Sequence, residues 1–366
     1  MRWNLIRPGR RAASEVAGDR ALADRGGRAR APKGIVRRVA GAMPVALAVV
    51  VMTAWATLAI DYSDLPSARL RTTLAIAFAA GTALAFVVLR RRSRTLVGFL
   101  VAFAVVVGWW LRIAPSNDRD WQPEVSRLAY ADVDGERITL HNIRNFDYRT
   151  ETDFIPGWYD ATFELPDLRS ADLIACYWMG EAIAHVMVSF GFAHDRYVAV
   201  SIETRKERGE MYSTIAGFFK QYELIYVVGD ERDLIRVRTN YREPKEDVYV
   251  YRAQVPLENV RRLFLDYVRK MNELKDHPAF YNTLTTNCTT NILLHTRVNP
   301  GSPPFSWKVL LSGYVPQYVY DLGRLDTTVP FEELRRRSRV NEHAQAADRA
   351  ADFSIRIRDG LPGMTP

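Results

Sequence analysis

The sequence predicts a mixed α/β domain carried behind three membrane-spanning helices. Three observations predict it. Residues 43–60, 72–89 and 95–111 form uncharged apolar stretches in close succession, each near the shortest length that crosses a bilayer as a helix. Beyond residue 123, short β-rich runs interleave with helical periodicities. The formal net charge of +8 is also uneven. Residues 1–40 hold eleven Lys/Arg against three Asp/Glu and residues 41–114 hold seven Arg against two Asp, so the remainder is net acidic.

Residues 1–40, rich in Arg, Ala and Gly, are expected to be a disordered basic tail. Buried core helices are the alternative to spans for the apolar stretches, but three in a row without a charge fit a bilayer better. The first stretch is no cleavable signal, because a long basic region precedes it and further spans follow. Arginine clusters stay on the cytoplasmic side. The tail and Arg90-Arg91-Arg92-Ser93-Arg94 therefore face the cytoplasm, and the acidic link 61–66 faces out. Everything after about Ile113 then lies outside the cytoplasmic membrane, with Trp109-Trp110 at its outer interface. The expected organisation is a tail over 1–40, three transmembrane helices over 41–113, an extracytoplasmic domain over 120–325 and a loose charged tail over 326–366. The basic excess belongs to the membrane flanks, so the expected partner is a membrane and not nucleic acid.

Within the domain, 137–143, 162–165, 172–179, 223–228 and 247–253 read as strands. Residues 185–192 and 197–205 read as a hairpin about Ala193-His194-Asp195-Arg196. Helices are expected over 212–222, over 257–274 and from about Cys288.

Two cysteines build neither a disulfide framework nor a thiolate zinc site. Cys176 lies in the apolar run 173–178 and reads as a small buried hydrophobe. Cys288 differs: it sits among small polar residues in Asn287-Cys288-Thr289-Thr290-Asn291, where a helical apolar pattern begins. A thiol at a helix start meets unpaired N–H groups that favour thiolate. His185, in a β-rich run far upstream, is a candidate base for it. With the hairpin loop centred on His194-Asp195, His185 faces Glu203 or Thr204, with Ser201 diagonal. Glu203 or Ser201 could then orient the far imidazole nitrogen. The plainer readings are a packed histidine, a solvated strand end and a core cysteine, and a Cys176–Cys288 disulfide stays open. The six histidines show no metal-ligand spacing, and no cofactor is expected.

These residues carry a resemblance. Asn142 to Arg149, Ala184-His185 through Phe192, Val200 to Arg205, Gly209 to Tyr212, Tyr222 to Val227 and Tyr281 through Asn291 come in an order similar to the Lnb N-terminal periplasmic domain family. The resemblance spans about residues 125–300. It implies a circularly permuted papain-like α/β (α+β) fold, with the His-bearing strand ahead of the Cys-bearing helix. It also implies acyl chemistry on bacterial lipoproteins. Carried over residue by residue, Cys288 is the nucleophile and His185 the base, Glu203 or Ser201 orients the histidine, and Asn287 joins backbone N–H groups around the oxyanion. The function expected is a membrane-anchored thiol acyltransferase or lipid esterase acting on lipoprotein or phospholipid esters. A papain-like cell-wall peptidase or amidase and a non-catalytic membrane scaffold are the rivals.

Overall fold

The structure, a computed structural model, describes residues 33–364. Met52 closes one unit and Thr53 opens a second that runs to the end of the chain. Helices α1 (Lys33–Asp61), α2 (Ala68–Val88) and α3 (Arg92–Arg112) carry the three apolar stretches. All three are long and apolar enough to cross a membrane, and no more than 17% of each apolar window is buried. Leu84, Val87 and Val105 stand exposed among many others. Helices apolar all round and uncovered by protein call for lipid, which removes the core-helix alternative. Helix α1 opens inside the stretch expected to be tail; residues 1–32 of that stretch lie outside the described residues.

The domain is built on strands β1 (Tyr130–Asp134), β2 (Arg137–Arg144), β3 (Asp147–Tyr148), β4 (Phe154–Ile155), β5 (Trp158–Glu164), β6 (Leu168–Tyr177), β7 (Ala184–Phe192), β8 (Arg196–Arg205), β9 (Glu223–Gly229) and β10 (Asp247–Arg252). An eight-stranded sheet runs in the order β1-β2-β9-β8-β7-β6-β10, with β5 also on β2, and β3 and β4 form a separate pair. Among its pairings, β2 with β9 is the parallel one. The helices are α4 (Glu231–Leu234), α5 (Leu257–Asp276), α6 (Cys288–Thr296), α7 (Trp307–Leu310), α8 (Val315–Asp321), α9 (Phe331–Arg337), α10 (Asn341–Ala346) and α11 (Phe353–Arg356).

Alternation along the strands gives the sheet two apolar faces. On one, Val188, Phe190, Ile202 and Tyr226 pack with Phe264, Tyr267 and Met271 of α5, and Cys288 and Ile292 of α6 pack against them. On the other, Ile174, Cys176, Met187 and Val227 pack with Leu234, Val340, Ala344 and Phe353. Helix α5 earns its place by period: Val260, Phe264, Tyr267, Val268, Met271 and Leu274 form one buried stripe.

Two expectations are corrected. Residues 326–364, the described part of the expected loose tail over 326–366, are not loose but folded onto the domain. Leu334, Val340, Ala344, Phe353 and Ile357 are buried, and Arg358 pairs with Glu231 at 2.6 Å and Asp172 at 2.8 Å. The visible charges, Glu332 to Arg337, sit on the outer side of α9 and hide the single inward Leu334. Nor do residues 212–222 form a helix; a one-turn 3-10 segment, Ala216–Phe218, is all that forms. The segment sends its hydrogen bonds elsewhere, from Ser213 N–H to the Tyr222 hydroxyl and from Thr283 N–H to the Gly217 carbonyl.

Candidate functional site

Cys288 is the first residue of α6. Asn287 is its N-cap: its Oδ1 accepts from Thr290 N–H at 2.8 Å, and its Nδ2 donates to the Thr283 carbonyl at 2.8 Å. This is the ordinary work of a capping asparagine, and it is where the structure places a residue expected near an oxyanion. The turn before it is tied by Asn282, whose Oδ1 accepts from Leu284 N–H and Thr285 N–H. The polar residues around Cys288 thus build the helix start that their composition suggests. Three backbone N–H groups face the sulfur, those of Val186, Thr289 and Cys288 itself.

His185 lies on β7 directly opposite Cys176 of β6. The hairpin turn is the one anticipated: His194 and Asp195 both take positive φ, near 60°, as a two-residue turn matched to strand twist requires. Its register is Val188↔Val200 through Phe192↔Arg196, so continued pairing would set His185 against Glu203. The ladder stops at Val188↔Val200, leaving 185–187 unpaired with β8. Across this opening His185 Nε2 meets the Ser201 hydroxyl at 2.6 Å, and Ser201 donates to Glu203 Oε1 at 2.7 Å. Glu203 Oε1 lies 3.8 Å from the ring nitrogen and 3.4 Å from Nη2 of Arg238.

These contacts assign the tautomer. Glu203 accepts the single hydroxyl proton of Ser201, so Ser201 can only accept from His185, whose proton then sits on Nε2. Nδ1 is left as the basic nitrogen. Ser201 and Glu203 therefore act in series, where the sequence offered them as alternatives.

The structure also separates the partners by face. His185, opposed to Cys176 and in phase with Met187, belongs to the side carrying Ser201, Glu203 and Arg238, whereas Cys288 packs on the α5 side. What joins them is one peptide unit. The sulfur takes the N–H of Val186, the amide that links Val186 to His185. Imidazole and thiol thus flank the same peptide at the point where β7 and β8 part.

Burial pushes the His185 pKa down to about 4, assisted by the Arg238 cation. Burial works to raise the Glu203 carboxyl, yet Arg238 and His185 hold it well below the usual range. Burial pushes the Cys288 thiol above its ordinary value and outweighs the three N–H groups that pull it down. The expected thiolate preference at the helix start is thus overturned by desolvation: the resting pair is a neutral imidazole and a neutral thiol. Cys176 is free and fully buried, its thiol pushed up to about 12 chiefly by burial, and Cys288 is free as well, which closes the disulfide alternative. Arg238, carried on a π-turn at Val237–Tyr241, escaped the sequence reading, because no spacing relates it to His185 or Glu203.

Fold and site together define a mixed α/β domain, behind candidate membrane helices, with a helix-start thiol near a strand-borne histidine. Residues 155–313 match the family model described as the Lnb N-terminal periplasmic domain, so the resemblance is borne out over that segment. That segment resembles this periplasmic domain, and the three apolar helices ahead of it fit a membrane protein. The match includes His185, Ser201, Glu203 and Cys288 and leaves out α1–α3, β1–β3 and α8–α11. No curated protein and no solved structure matches the chain.

Proposed function

We propose that this chain is a thiol-dependent acyltransferase or lipid esterase whose domain works at the outer face of the inner membrane on lipoprotein or phospholipid esters. One observation carries the reading: the Ser201–Glu203 chain takes the Nε2 proton of His185 and leaves Nδ1 basic, while the N–H of the next residue, Val186, is among the groups that draw the Cys288 thiol toward thiolate. The His-strand preceding the Cys-helix supports a permuted papain-like arrangement.

His185 Nδ1 takes the thiol proton through water in the opening between β7 and β8, since the two side chains reach the shared peptide from opposite faces of the sheet. The sulfur attacks the ester carbonyl. The tetrahedral oxyanion is met by backbone N–H groups at the start of α6, where losing one such donor typically costs about 2.7–4 kcal/mol of barrier. The intermediate collapses to a thioester as the alcohol leaves with the proton held by His185. An amine or water then takes the acyl group and restores the thiol. Because both groups start neutral, base-assisted attack replaces a preformed ion pair. Ser201, Glu203 and Arg238 hold the ring in the Nε2–H form, and Asn287 holds the helix start.

The test is mass spectrometry of the purified protein after incubation with phospholipid or diacylated lipopeptide. An acyl mass on the peptide containing Cys288, absent in Cys288→Ala, is expected. Full acyl-transfer or esterase activity in Cys288→Ala would overturn the reaction.

A further inference from the structure

The segment that was expected to be a helix exposes an unusual row of side chains. Met211 (84% exposed), Tyr212, Ile215 and Phe218 face solvent, and Leu284, on the turn that docks against this loop, does too. Large apolar groups clustered on one loop mark a contact surface.

What covers them is indicated by the same loop's other contacts. Phe219 is buried against the ends of the membrane helices: its ring lies 6.1 Å from that of Trp55 and stacks at 6.1 Å on Tyr62. Its carbonyl accepts from the Trp110 indole at 3.4 Å. Lys220 donates to the carbonyls of Trp110 and Ile113 at 3.1 and 3.0 Å, capping the C-terminus of α3, where a cation suits the helix dipole. Trp55 stands six residues before the end of α1, about 9 Å along the helix axis. The loop therefore lies alongside the spans at the level of their aromatic rings, where Trp and Tyr mark the membrane–water interface.

We infer that the loop 211–218, together with Leu284, is inserted into the outer leaflet of the bilayer that α1–α3 cross, and that it forms the path by which a lipid ester reaches Cys288. The second half rests on the acyl-transfer reading above; the first does not. The loop is coupled to the thiol by backbone. Thr283 donates through its N–H to Gly217 and through its hydroxyl to the Thr214 carbonyl at 2.8 Å. The Thr283 carbonyl in turn accepts from Asn287, which caps the Cys288 helix. A Cβ on Gly217 would stand 2.3 Å from the Thr283 hydroxyl, so the close approach of loop and turn requires glycine there.

The test uses the full chain in phospholipid nanodiscs with a photoreactive benzoylphenylalanine at position 215, and at position 355 on the far side of the domain as control. Illumination is expected to add a phospholipid mass at 215 and not at 355. No adduct at 215 in a protein that melts like wild type, or equal yields at both positions, would overturn insertion. A second arm compares the double variant M211D/I215D on a vesicle-embedded ester and on a short-chain water-soluble ester. Loss of two apolar side chains from the leaflet should lower kcat/KM on the vesicle substrate by at least about tenfold and leave the soluble ester nearly unchanged. Equal loss on both substrates, or none on either, would overturn the delivery path. A wild type inactive on every ester would instead sink the acyl-transfer reading and leave insertion to be judged by the crosslink alone.

Discussion

Two histidines on opposite faces of one sheet, His295 buried and His185 partly so, differ in a way that separates a structural role from a chemical one. His295, two turns beyond Cys288 on α6, is saturated: Nδ1 meets Asp266 at 2.7 Å, Nε2 meets the Tyr226 hydroxyl at 2.7 Å, and the ring stacks on Tyr267 at 4.0 Å. It ties the Cys288 helix to α5 and β9. His185 has one nitrogen engaged, by a Ser201 that is itself committed to Glu203, and the other is left as the basic nitrogen. A ring with both nitrogens occupied has no proton traffic to offer. A ring with one nitrogen pinned and one basic has the form a general base needs.

The comparison breaks most visibly by substitution. His185→Ala is expected to lower kcat/KM by about 10²–10⁴-fold, the usual worth of a general base, with little change in thermal midpoint. Glu203→Gln should be nearly as severe. Its amide can donate to Ser201, whose proton then turns to Nε2 and forces the proton onto Nδ1; a triad locked in the wrong tautomer loses up to about 10⁴-fold. Steady-state kinetics with thermal melts checks both, and a His185→Ala variant that lost stability and not rate would reverse the assignment.

His295→Ala should behave the other way. It leaves the buried Tyr226 hydroxyl without its partner, at about 1–3 kcal/mol, and takes one of two partners from Asp266, which keeps Arg269, so the denaturation midpoint falls and the chemical step slows less than in His185→Ala. A smaller effect lies in pH. Because the His185 pKa is lowered to about 4, the neutral base survives well below the ordinary histidine range. kcat/KM is expected to hold down to about pH 4 and fall below it. The stability term has the same sign: a histidine with a folded pKa below its unfolded value destabilises as pH falls from about 6.5. Arg238→Gln removes the cation that depresses the ring, so the acid limb should move upward. An acid limb near 6.5 in wild type would mean that His185 is not the titrating group. Finally, alkylation of Cys288 in the resting protein should rise through a pKa above the ordinary thiol value, since burial outweighs the helix start.

Legibility followed range. The apolar stretches, the hairpin turn, strand β9, helix α5 and the helix start at Cys288 were readable because each depends on neighbours within a few residues: hydrophobic period, turn residues and polar residues ahead of an apolar run. Register was half readable. The turn does set Val188 opposite Val200, but not the place where β7 and β8 separate, and that opening makes Ser201 a link to Glu203 and not its substitute. Residues 212–222 misled because aromatic residues at near-helical spacing serve different neighbours, Phe219 the membrane helices and Tyr222 the core.

By itself the sequence determined that three uncharged segments need lipid, that an α/β domain follows them, and which cysteine is polar enough in its setting to matter, all consequences of local composition and period. Only the tertiary structure decided that the charged C-terminal segment covers a sheet face, that Arg238 stands over Glu203, and that His185 and Cys288 come to one peptide from opposite faces. Those outcomes depend on contacts between residues tens of positions apart, and on desolvation that exists only once the chain has closed around them. No residue announces in advance how much water it will lose.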